Sequence, residues 1–245
     1  MNKITKSQVK LVKSLQQKKF RDELGLFVAE GEKCVSELAK KFELVHLFRE
    51  GENASRTEIE QMSGLRSPQG VIGVLKKGPS DKVPSTKEEL VLALDGIQDP
   101  GNLGTIIRTC DWFGVHDIIC SQDTADCFNP KVVQATMGAL ARVRVHYVKL
   151  PEWLAEVRNQ ESGVRIYGTL LDGKNMYEIL ESRVKSQESK EIIVMGNEGN
   201  GISPEVRKHI THPIRIPSYP KNAETSESLN VSIATAIVLA EFRHP

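Results

Sequence analysis

Between residues 90 and 242, short apolar segments alternate with segments of helical periodicity. Apolar runs separated by amphipathic helices are typical of strands that lie in a parallel sheet with both faces covered. The predicted strands are Leu90–Leu94, Asp117–Cys120, Val143–Tyr147, Arg165–Leu171, Ile192–Met195 and Ile214–Ile216. The predicted helices are Leu103–Phe113, Pro130–Leu140, Glu152–Asn159, Met176–Glu181, Pro204–His209 and Val231–Phe242. The pattern predicts an α/β domain with a mainly parallel sheet, in which ligands bind at the carboxyl ends of strands.

The segment Lys76–Glu89 has no apolar periodicity and is rich in Lys, Pro, Ser and Gly, which is typical of a linker. It predicts two domains, 1–80 and 88–245. The first is predicted to be a small α/β domain, with helices Lys6–Phe20, Glu32–Lys41 and Glu58–Met62 and strands Leu26–Ala29, Leu44–Phe48 and Val71–Leu75.

Positive charge is concentrated at the start of the chain, although the net charge is only +1. Residues 1–21 contain seven Lys or Arg residues and no acidic residue. Lys6, Lys10 and Lys13 lie on one side of the first predicted helix, and we expect them to contact nucleic-acid phosphates. A solvated helix face is the alternative interpretation of the same pattern.

The cysteines and the apolar segments argue against a metalloprotein, a secreted protein and a membrane protein. The four cysteines form no CxxC pair and have no histidine cluster beside them, so we expect no metal site. Three of the four lie in apolar-rich segments, where we expect reduced core thiols. No apolar segment follows the first lysines, and none approaches the ~18 residues of a membrane span. We therefore expect a cytoplasmic protein without a membrane partner.

The first predicted strand runs into a polar loop with the sequence Asp95-Gly96-Ile97-Gln98-Asp99-Pro100-Gly101-Asn102-Leu103-Gly104. Asn102 can cap the helix that follows, and Arg108 lies about a turn and a half into that helix. An ordinary strand-to-helix connection with a surface arginine is the alternative interpretation.

A glycine-rich segment follows a later strand, with the sequence Gly196-Asn197-Glu198-Gly199-Asn200-Gly201. It lacks the spacing of a dinucleotide-binding loop and the Gly-Lys-Ser/Thr ending of a phosphate-binding loop. Its glycines allow close approach of a ligand, and Glu198 would lie at that approach; a flexible turn with an exposed glutamate is the alternative.

Two later helices have N-cap candidates in the sequence. Ser203, directly before Pro204, is the predicted N-cap of the helix that begins there. Before the last helix, Ser228 or Asn230 of Ser228-Leu229-Asn230-Val231-Ser232 would serve as N-cap.

Together these segments resemble the three signature motifs of the SpoU (TrmH) family of RNA ribose 2′-O-methyltransferases, within the SPOUT class. The matching residues are Asp99-Pro100-x-Asn102-x-Gly104-x-x-x-Arg108-Thr109, Gly196-Asn197-Glu198-Gly199, Ser228-Leu229-Asn230-Val231-Ser232, and the intervening Pro130-Lys131-Val132-Val133 with Met137-Gly138-Ala139. In the first domain, Phe27-Val28-Ala29-Glu30-Gly31 and Ser67-Pro68-Gln69-Gly70 resemble the substrate-binding domain of rRNA-directed members, which has a ribosomal-protein-like fold.

The resemblance implies a deep trefoil knot at about 192–235, a rare exception to the rule against threaded chains. It implies a homodimer and S-adenosylmethionine as cofactor. The cofactor-binding residues carried over from the family are Thr169, Leu170, Met195, Gly196, Asn197, Gly199, Ile216, Pro217, Ser228 and Leu229. The sequence departs from the family at Ser218, where members have Met, and in a longer loop at Tyr219–Glu227.

The resemblance also implies the reaction, transfer of a methyl group to a ribose 2′-hydroxyl of structured RNA. The catalytic residues carried over are Arg108, Asn102, Glu198, Asn230 and Ser228. Arg108 would assist loss of the hydroxyl proton or bind the adjacent phosphate, and Glu198 would form an ion pair with an arginine or position the ribose.

Ribosomal RNA of the 23S type is the preferred substrate, because of the first domain. A tRNA-directed member of the family and a non-catalytic RNA-binding or assembly protein are the alternatives.

Overall fold

The computed structural model of the protein describes residues 4–78, 90–160, 163–181, 190–220 and 228–244. Packing divides the chain into unit 1, which comprises Met1–Lys82 and Asp126–Arg142, and unit 2, which comprises Val83–Ala125 and Val143–Pro245. The strands are β1 (Leu26–Glu30), β2 (Leu44–Arg49), β3 (Val71–Lys76), β4 (Leu90–Asp95), β5 (Asp117–Ser121), β6 (Arg144–Val148), β7 (Arg165–Asn175), β8 (Glu191–Gly196) and β9 (His212–Arg215). The α-helices are α1 (Lys6–Ser14), α2 (Lys18–Leu24), α3 (Glu32–Leu38), α4 (Arg56–Met62), α5 (Pro100–Trp112), α6 (Pro130–Thr136), α7 (Leu150–Gln160), α8 (Met176–Glu181), α9 (Pro204–Arg207) and α10 (Val231–Arg243).

Unit 2 is built on a six-stranded sheet in the order β6-β5-β4-β8-β7-β9. Every neighbouring pair in this sheet is parallel, which confirms the predicted α/β architecture. All residues of β4 are buried, as expected of a central strand covered on both faces. The strand order reverses beside β4, where β8 pairs with it and Asp95 lies opposite Gly196. Such a reversal leaves a crevice at the carboxyl ends of the strands.

Unit 1 contains a three-stranded antiparallel sheet in the order β1-β3-β2, which confirms the three strands predicted in the first domain. Phe27 of β1 contacts Phe42 edge-on, with ring centroids 5.1 Å apart, and Phe128 at 4.8 Å. Edge-to-face aromatic pairs of this kind add to the free energy gained by burial. Phe128 belongs to the later segment, so residues distant in sequence complete this core.

The segment 126–142 packs within unit 1, although the sequence analysis assigns it to the domain at 88–245. The guanidinium of Arg21 pairs with Asp126 at 2.7 Å, and only 2% of the Arg21 side chain is exposed. Sγ of Cys34 lies 3.8 Å from the carbonyl oxygen of Val133. Hydrophobic periodicity identifies α6 but carries no information on which core it covers, so the predicted boundaries differ from the packing in this segment.

The single helix predicted over Lys6–Phe20 is wrong, because the structure has two helices, α1 and α2, separated at residues 15–17. At the break, Nη1 of Arg21 donates to the carbonyl oxygens of Leu15 and Gln16, at 2.9 Å each. These hydrogen bonds satisfy carbonyl groups that lose their helical partners. Burial of Arg21 thus depends on the break, which a periodicity argument does not detect.

Two predicted features extend beyond the described residues. β3 runs to Lys76, and residues 79–89 of the predicted linker Lys76–Glu89 lie outside the described part. The predicted knot at about 192–235 includes residues 221–227, which also lie outside it, so the knot stays a prediction. Among the helices that the structure describes, none has the length and apolarity required to cross a bilayer.

At the amino ends of β5 and β6, the buried carboxylate of Asp117 has two hydrogen-bonding partners, Arg144 and His146. Asp117, 1% exposed, accepts hydrogen bonds from Arg144 at 2.6 and 2.7 Å, and its Oδ1 lies 3.0 Å from Nε2 of His146. Burial alone would raise the pKa of Asp117, but the hydrogen bonds from His146 and Arg144 outweigh it and lower the pKa to about 2. The native state therefore favours the ionised carboxylate.

We predict that Asp117 stabilises the protein above pH 4 and loses this effect as the pH falls from about 4 to about 2. The unfolded carboxyl has a pKa of ~3.9, so the depressed native pKa corresponds to about 2–3 kcal/mol of stability at neutral pH. Urea unfolding of the wild type and of Asp117→Asn at a series of pH values measures this contribution. The difference between the two unfolding free energies should shrink over that interval; a difference independent of pH would contradict the assignment.

Candidate active site

The structure brings the three sequence motifs of unit 2 together at the carboxyl ends of β4 and β8. Nδ2 of Asn102, in the first turn of α5, donates to Oε1 of Glu198 over 2.8 Å. Oδ1 of Asn102 accepts from Nδ2 of Asn230 over 3.0 Å. Three side chains that are 96 and 128 residues apart in sequence therefore form one hydrogen-bonded group.

The direction of these hydrogen bonds is determined by helix α10. Asn230 is its N-cap, and Oδ1 of Asn230 accepts from the backbone N–H groups of Ser232 at 3.0 Å and Ile233 at 3.4 Å. Nδ2 of Asn230 must therefore face Asn102, and Asn102 must in turn direct its own Nδ2 at Glu198. Of the two predicted N-cap candidates, Asn230 fills the role. Ser228 is exposed and makes no hydrogen bond in the part of the chain that the structure describes.

The capping role predicted for Asn102 is wrong, because Asp99 caps α5. Oδ1 of Asp99 accepts from the backbone N–H of Asn102 over 2.7 Å, and Pro100 occupies the first helical position. Proline at the first helical position costs no hydrogen bond, since a backbone N–H at that position would have no intrahelical partner. As a result, the Asn102 side chain is available for Glu198 and Asn230.

The glycine-rich loop that carries Glu198 is a compact turn closed by its own hydrogen bonds. Asn197 and Gly201 exchange two backbone hydrogen bonds of 2.9 Å each. Oδ1 of Asn197 accepts from the N–H groups of Gly199 at 2.9 Å and Asn200 at 3.0 Å. A Cβ on Gly196 would overlap the backbone of Gly201, so this position requires glycine. The loop is thus closed by its own hydrogen bonds, and Glu198 on it is exposed, as in the alternative weighed above.

Two further contacts, which sequence reasoning missed, join this loop to the loop after β4. Nδ2 of Asn197 donates to the carbonyl oxygen of Gly96 over 2.7 Å. Oδ2 of Asp95 accepts from the backbone N–H of Ser203 over 2.7 Å, and Asp95 is 8% exposed. The signal in the sequence is Asp95 itself, an acidic residue that ends an otherwise apolar strand. Burial of a carboxylate requires hydrogen-bond donors, and here Ser203 supplies one.

Arg108 is exposed and forms neither a hydrogen bond nor an ion pair within the described residues. The ion pair considered above between Glu198 and this arginine is absent there, because Asn102 contacts the carboxylate instead. Arg108 lies six residues beyond Asn102, about 9 Å further along the α5 axis. Its guanidinium is therefore available to bind a ligand anion.

Of the residues predicted to bind the cofactor, Thr169 and Leu170 lie within β7, Met195 and Gly196 end β8, and Ile216 and Pro217 follow β9. Thr169 and Lys174 of β7 both pair with Ile214 of β9, so the intervening residues 170–173 leave the ladder. Oγ1 of Thr169 donates to the carbonyl oxygen of Val194 over 3.2 Å. Of the apolar residues among those predicted, Met195 is buried and Leu229 is 49% exposed.

The divergent segment lies only partly in the described structure. Ser218 and Tyr219 follow Ile216 and Pro217 and are exposed, whereas residues 221–227 lie outside the described part. Within the residues that the structure describes, no group of three or more His, Cys, Asp or Glu side chains could hold a metal ion.

Two family models match the chain. The SpoU rRNA methylase family matches residues 89–240, which include all three motifs of the site. The MRM3-like substrate binding domain matches residues 6–57, within the predicted first domain.

The similarity to several known proteins extends over nearly the whole chain. The 23S rRNA (guanosine(2553)-2′-O)-methyltransferase RlmP of Bacillus subtilis is 30% identical, with 96% of each chain covered. A TrmH-family protein from Porphyromonas gingivalis has a structure that superposes with a TM-score of 0.85 at 37% identity and covers 98% of both chains. An rRNA methyltransferase from Sinorhizobium meliloti, solved with S-adenosylmethionine bound, gives a TM-score of 0.82 at 29% identity, with 99% of this chain and 96% of that chain covered.

We predict that Gly196→Ala destabilises the protein by about 1–3 kcal/mol or more, because the new methyl group overlaps backbone that cannot move without opening the loop. Gly199→Ala is the matched control, since a Cβ at Gly199 would meet only Oδ1 of Asn197, at 3.5 Å. Urea unfolding of both variants measures the effect. Equal unfolding midpoints for the two variants would show that the loop does not need glycine at position 196.

Proposed function

The chain belongs to the SpoU rRNA methylase family, and we propose that it transfers a methyl group from S-adenosylmethionine to a ribose 2′-hydroxyl of structured RNA. The observation that carries this proposal is the hydrogen-bonded group of Asn102, Glu198 and Asn230, of which Asn102 lies on the same helix as the exposed Arg108. These four residues match the family motifs.

The residues on and after β7, β8 and β9 have the polar and apolar groups that S-adenosylmethionine requires. Backbone groups near Thr169 and Gly196 can bind the polar edges of an adenosyl group, and Leu170, Ile216 and Leu229 offer apolar contacts. When bound, the cofactor would supply a methyl group on a positively charged sulfur. The positive charge makes that sulfur a good leaving group. The contribution of the protein is therefore chiefly to align the ribose oxygen with that methyl group.

Arg108 would bind the phosphate adjacent to the target ribose and stabilise the negative charge that develops on the attacking oxygen. Guanidinium groups bind phosphate through two parallel hydrogen bonds, and Arg108 has no competing partner among the described residues. Asn102 and Asn230 would position the ribose, since their amides are fixed in direction by the cap of α10.

The preferred substrate is ribosomal RNA of the 23S type. This choice is supported by the relative in Bacillus subtilis, which is named as a 23S rRNA methyltransferase and which the chain covers over 96% of its length. It is also supported by the match of residues 6–57 to a substrate binding domain. A tRNA substrate is the alternative outcome.

We further propose that the active form is a homodimer that associates through α5 and α10. Trp112 of α5 is 85% exposed, and Ile233 of α10 is 55% exposed. Large apolar side chains at such exposure favour association. The four cysteines are buried and form no disulfide, which fits action in the reducing cytoplasm.

The proposed reaction predicts methyl incorporation into unmethylated 23S-type ribosomal RNA incubated with methyl-labelled S-adenosylmethionine. Arg108→Ala should lower the rate by about 100-fold or more, because a donor to developing charge is removed. Arg158→Ala, an exposed arginine on α7, should not lower it. Nuclease digestion and chromatography should locate the label on a ribose 2′-oxygen.

The outcomes of this experiment separate the alternatives. Label in tRNA, with none in ribosomal RNA, would keep the chemistry and change the substrate. Absence of label in every RNA, together with no binding of the cofactor, would contradict the proposal and favour the non-catalytic RNA-binding protein.

We predict that replacing Lys6, Lys10 and Lys13 with glutamine weakens RNA binding and reduces its salt dependence. All three lysines are exposed on α1, and none forms an ion pair within the described structure. The slope of log K against log salt should decrease by about 0.7–0.9 for each phosphate that the variant fails to neutralise. Filter binding at several salt concentrations measures this slope, and Lys41→Gln is a single-charge control. A slope equal to that of the wild type would exclude these lysines from the RNA interface.

A further inference from the structure

We propose that Ser121, the last residue of β5, is a positioning residue for methyl transfer. Its hydroxyl fixes the backbone at Gly96, and Gly96 in turn holds the loop that carries Glu198. The inference rests on the proposed function and concerns a residue outside the sequence motifs of the site. Ser121 is 7% exposed, so we expect it to act through its neighbours rather than by touching a ligand.

The hydroxyl of Ser121 is oriented by a carboxylate. It donates to Oδ1 of Asp123 over 2.6 Å, and hydrogen bonds to an ionised acceptor are the stronger ones. A hydroxyl has one proton, so the oxygen of Ser121 is left as an acceptor. It accepts from the backbone N–H of Gly96 over 2.8 Å. The direction of this hydrogen bond is therefore determined by Asp123.

The backbone at Gly96 is held on both sides. Gly96 has a φ of +71°, in the left-handed region that favours glycine. Its N–H donates to Ser121, and its carbonyl oxygen accepts from Nδ2 of Asn197 over 2.7 Å. The next carbonyl oxygen, of Ile97, accepts from the N–H of Ala125 over 2.8 Å. The loop after β5 thus supplies partners for two consecutive residues of the loop after β4.

The loops after β4, β5 and β8 converge at Gly96. A Cβ added there would lie 3.1 Å from Oδ2 of Asp123 and 3.7 Å from Cβ of Asn197. Asn197 closes the loop of Glu198, because its side-chain oxygen accepts from two N–H groups of that loop. A displacement of Gly96 therefore moves the acceptor of Asn197, and with it the carboxylate that Asn102 contacts.

The backbone of Ser121 is held independently of its side chain. Ser121 pairs with Val148 of β6, and its carbonyl oxygen accepts from the N–H of Thr124 over 3.1 Å. Removal of the hydroxyl should leave the loop after β5 in place and withdraw the acceptor of the Gly96 N–H. A buried N–H without an acceptor is costly, so Gly96 should move toward another acceptor or toward water.

Amide hydrogen exchange of the full chain, resolved by residue with NMR, tests the inference without RNA. In Ser121→Ala, the N–H of Gly96 should exchange faster because it loses its acceptor. The N–H groups of Gly199 and Asn200 should also exchange faster, because both donate to Asn197. We expect an acceleration of about 5–30-fold at these three positions, the effect of losing one or two hydrogen bonds.

Thr211→Ala is the matched control. Oγ1 of Thr211 accepts from the backbone N–H of Ile166 over 2.9 Å, so this variant also withdraws a hydroxyl from a backbone N–H. Ile166 lies at the amino end of β7, at the opposite edge of the sheet from the site. The control should accelerate exchange at Ile166 and leave Gly199 and Asn200 unchanged.

Steady-state methylation of 23S-type ribosomal RNA measures the consequence for the reaction. Ser121→Ala should lower kcat by about 10–100-fold and leave KM for RNA within about twofold, because misalignment slows the chemical step. Thr211→Ala should retain the wild-type kcat. Ser121→Thr keeps the hydroxyl, and a β-branched side chain suits the end of a strand, so it should restore both kcat and slow exchange.

Several results would overturn the inference while the proposed function stands. One is wild-type exchange at Gly199 and Asn200 in Ser121→Ala, and another is a kcat equal to that of Thr211→Ala. Equal acceleration of exchange throughout unit 2 would indicate a purely structural role, as would a loss of kcat in Ser121→Thr as large as in Ser121→Ala. A wild type that methylates no RNA would contradict the proposed function alone, since the exchange measurement does not depend on activity.

Discussion

The geometry of the site depends on the parallel pairing of β4 with β8 at the centre of the unit 2 sheet. In this register Asp95 lies opposite Gly196, so the loops that follow the two strands begin side by side. Asn197 then bonds to Gly96, and Asp95 bonds to Ser203, across the gap between the loops. Because both contacts originate within a residue of the paired strands, the rigid sheet determines where the active-site side chains lie.

Much of unit 2 is predictable from the sequence because its strands are buried runs with clear ends. β4 and α8 are predicted within one residue of their observed bounds, and Ser203 is the N-cap of α9 as predicted. The N-cap predicted for α5, Asn102, is wrong. Asp99 and Asn102 both belong to the residue types that cap helices. The extended backbone at Asp99, with Pro100 at the first helical position, determines that Asp99 is the N-cap.

The polar contacts within the site could not be predicted in the same way. The motifs identify Asn102, Glu198 and Asn230 as members of one site, but their spacing in sequence does not state which side chain bonds to which. The ion pair weighed for Glu198 is a reasonable choice for a carboxylate and an arginine, yet the described structure pairs it with a neutral amide. Arg108 lies apart from Asn102 along α5. Its guanidinium is therefore available to an external anion, and it does not neutralise the carboxylate of Glu198. The knot stays a prediction.

The membership of 126–142 in unit 1 affects how the protein can fold while it is being made. Arg21, Phe27 and Cys34 are synthesised early, but the partners that cover them, Asp126, Phe128 and Val133, follow much later. Ribosomes add about 5–20 residues per second, so the 60 residues from 82 to 142 delay completion of this core by roughly 3–12 s. During that interval the nascent chain exposes an incomplete apolar surface, on which a ribosome-associated chaperone can act. Translation speed across β4, α5 and β5 therefore influences the yield of correctly folded unit 1, although those elements form no part of it.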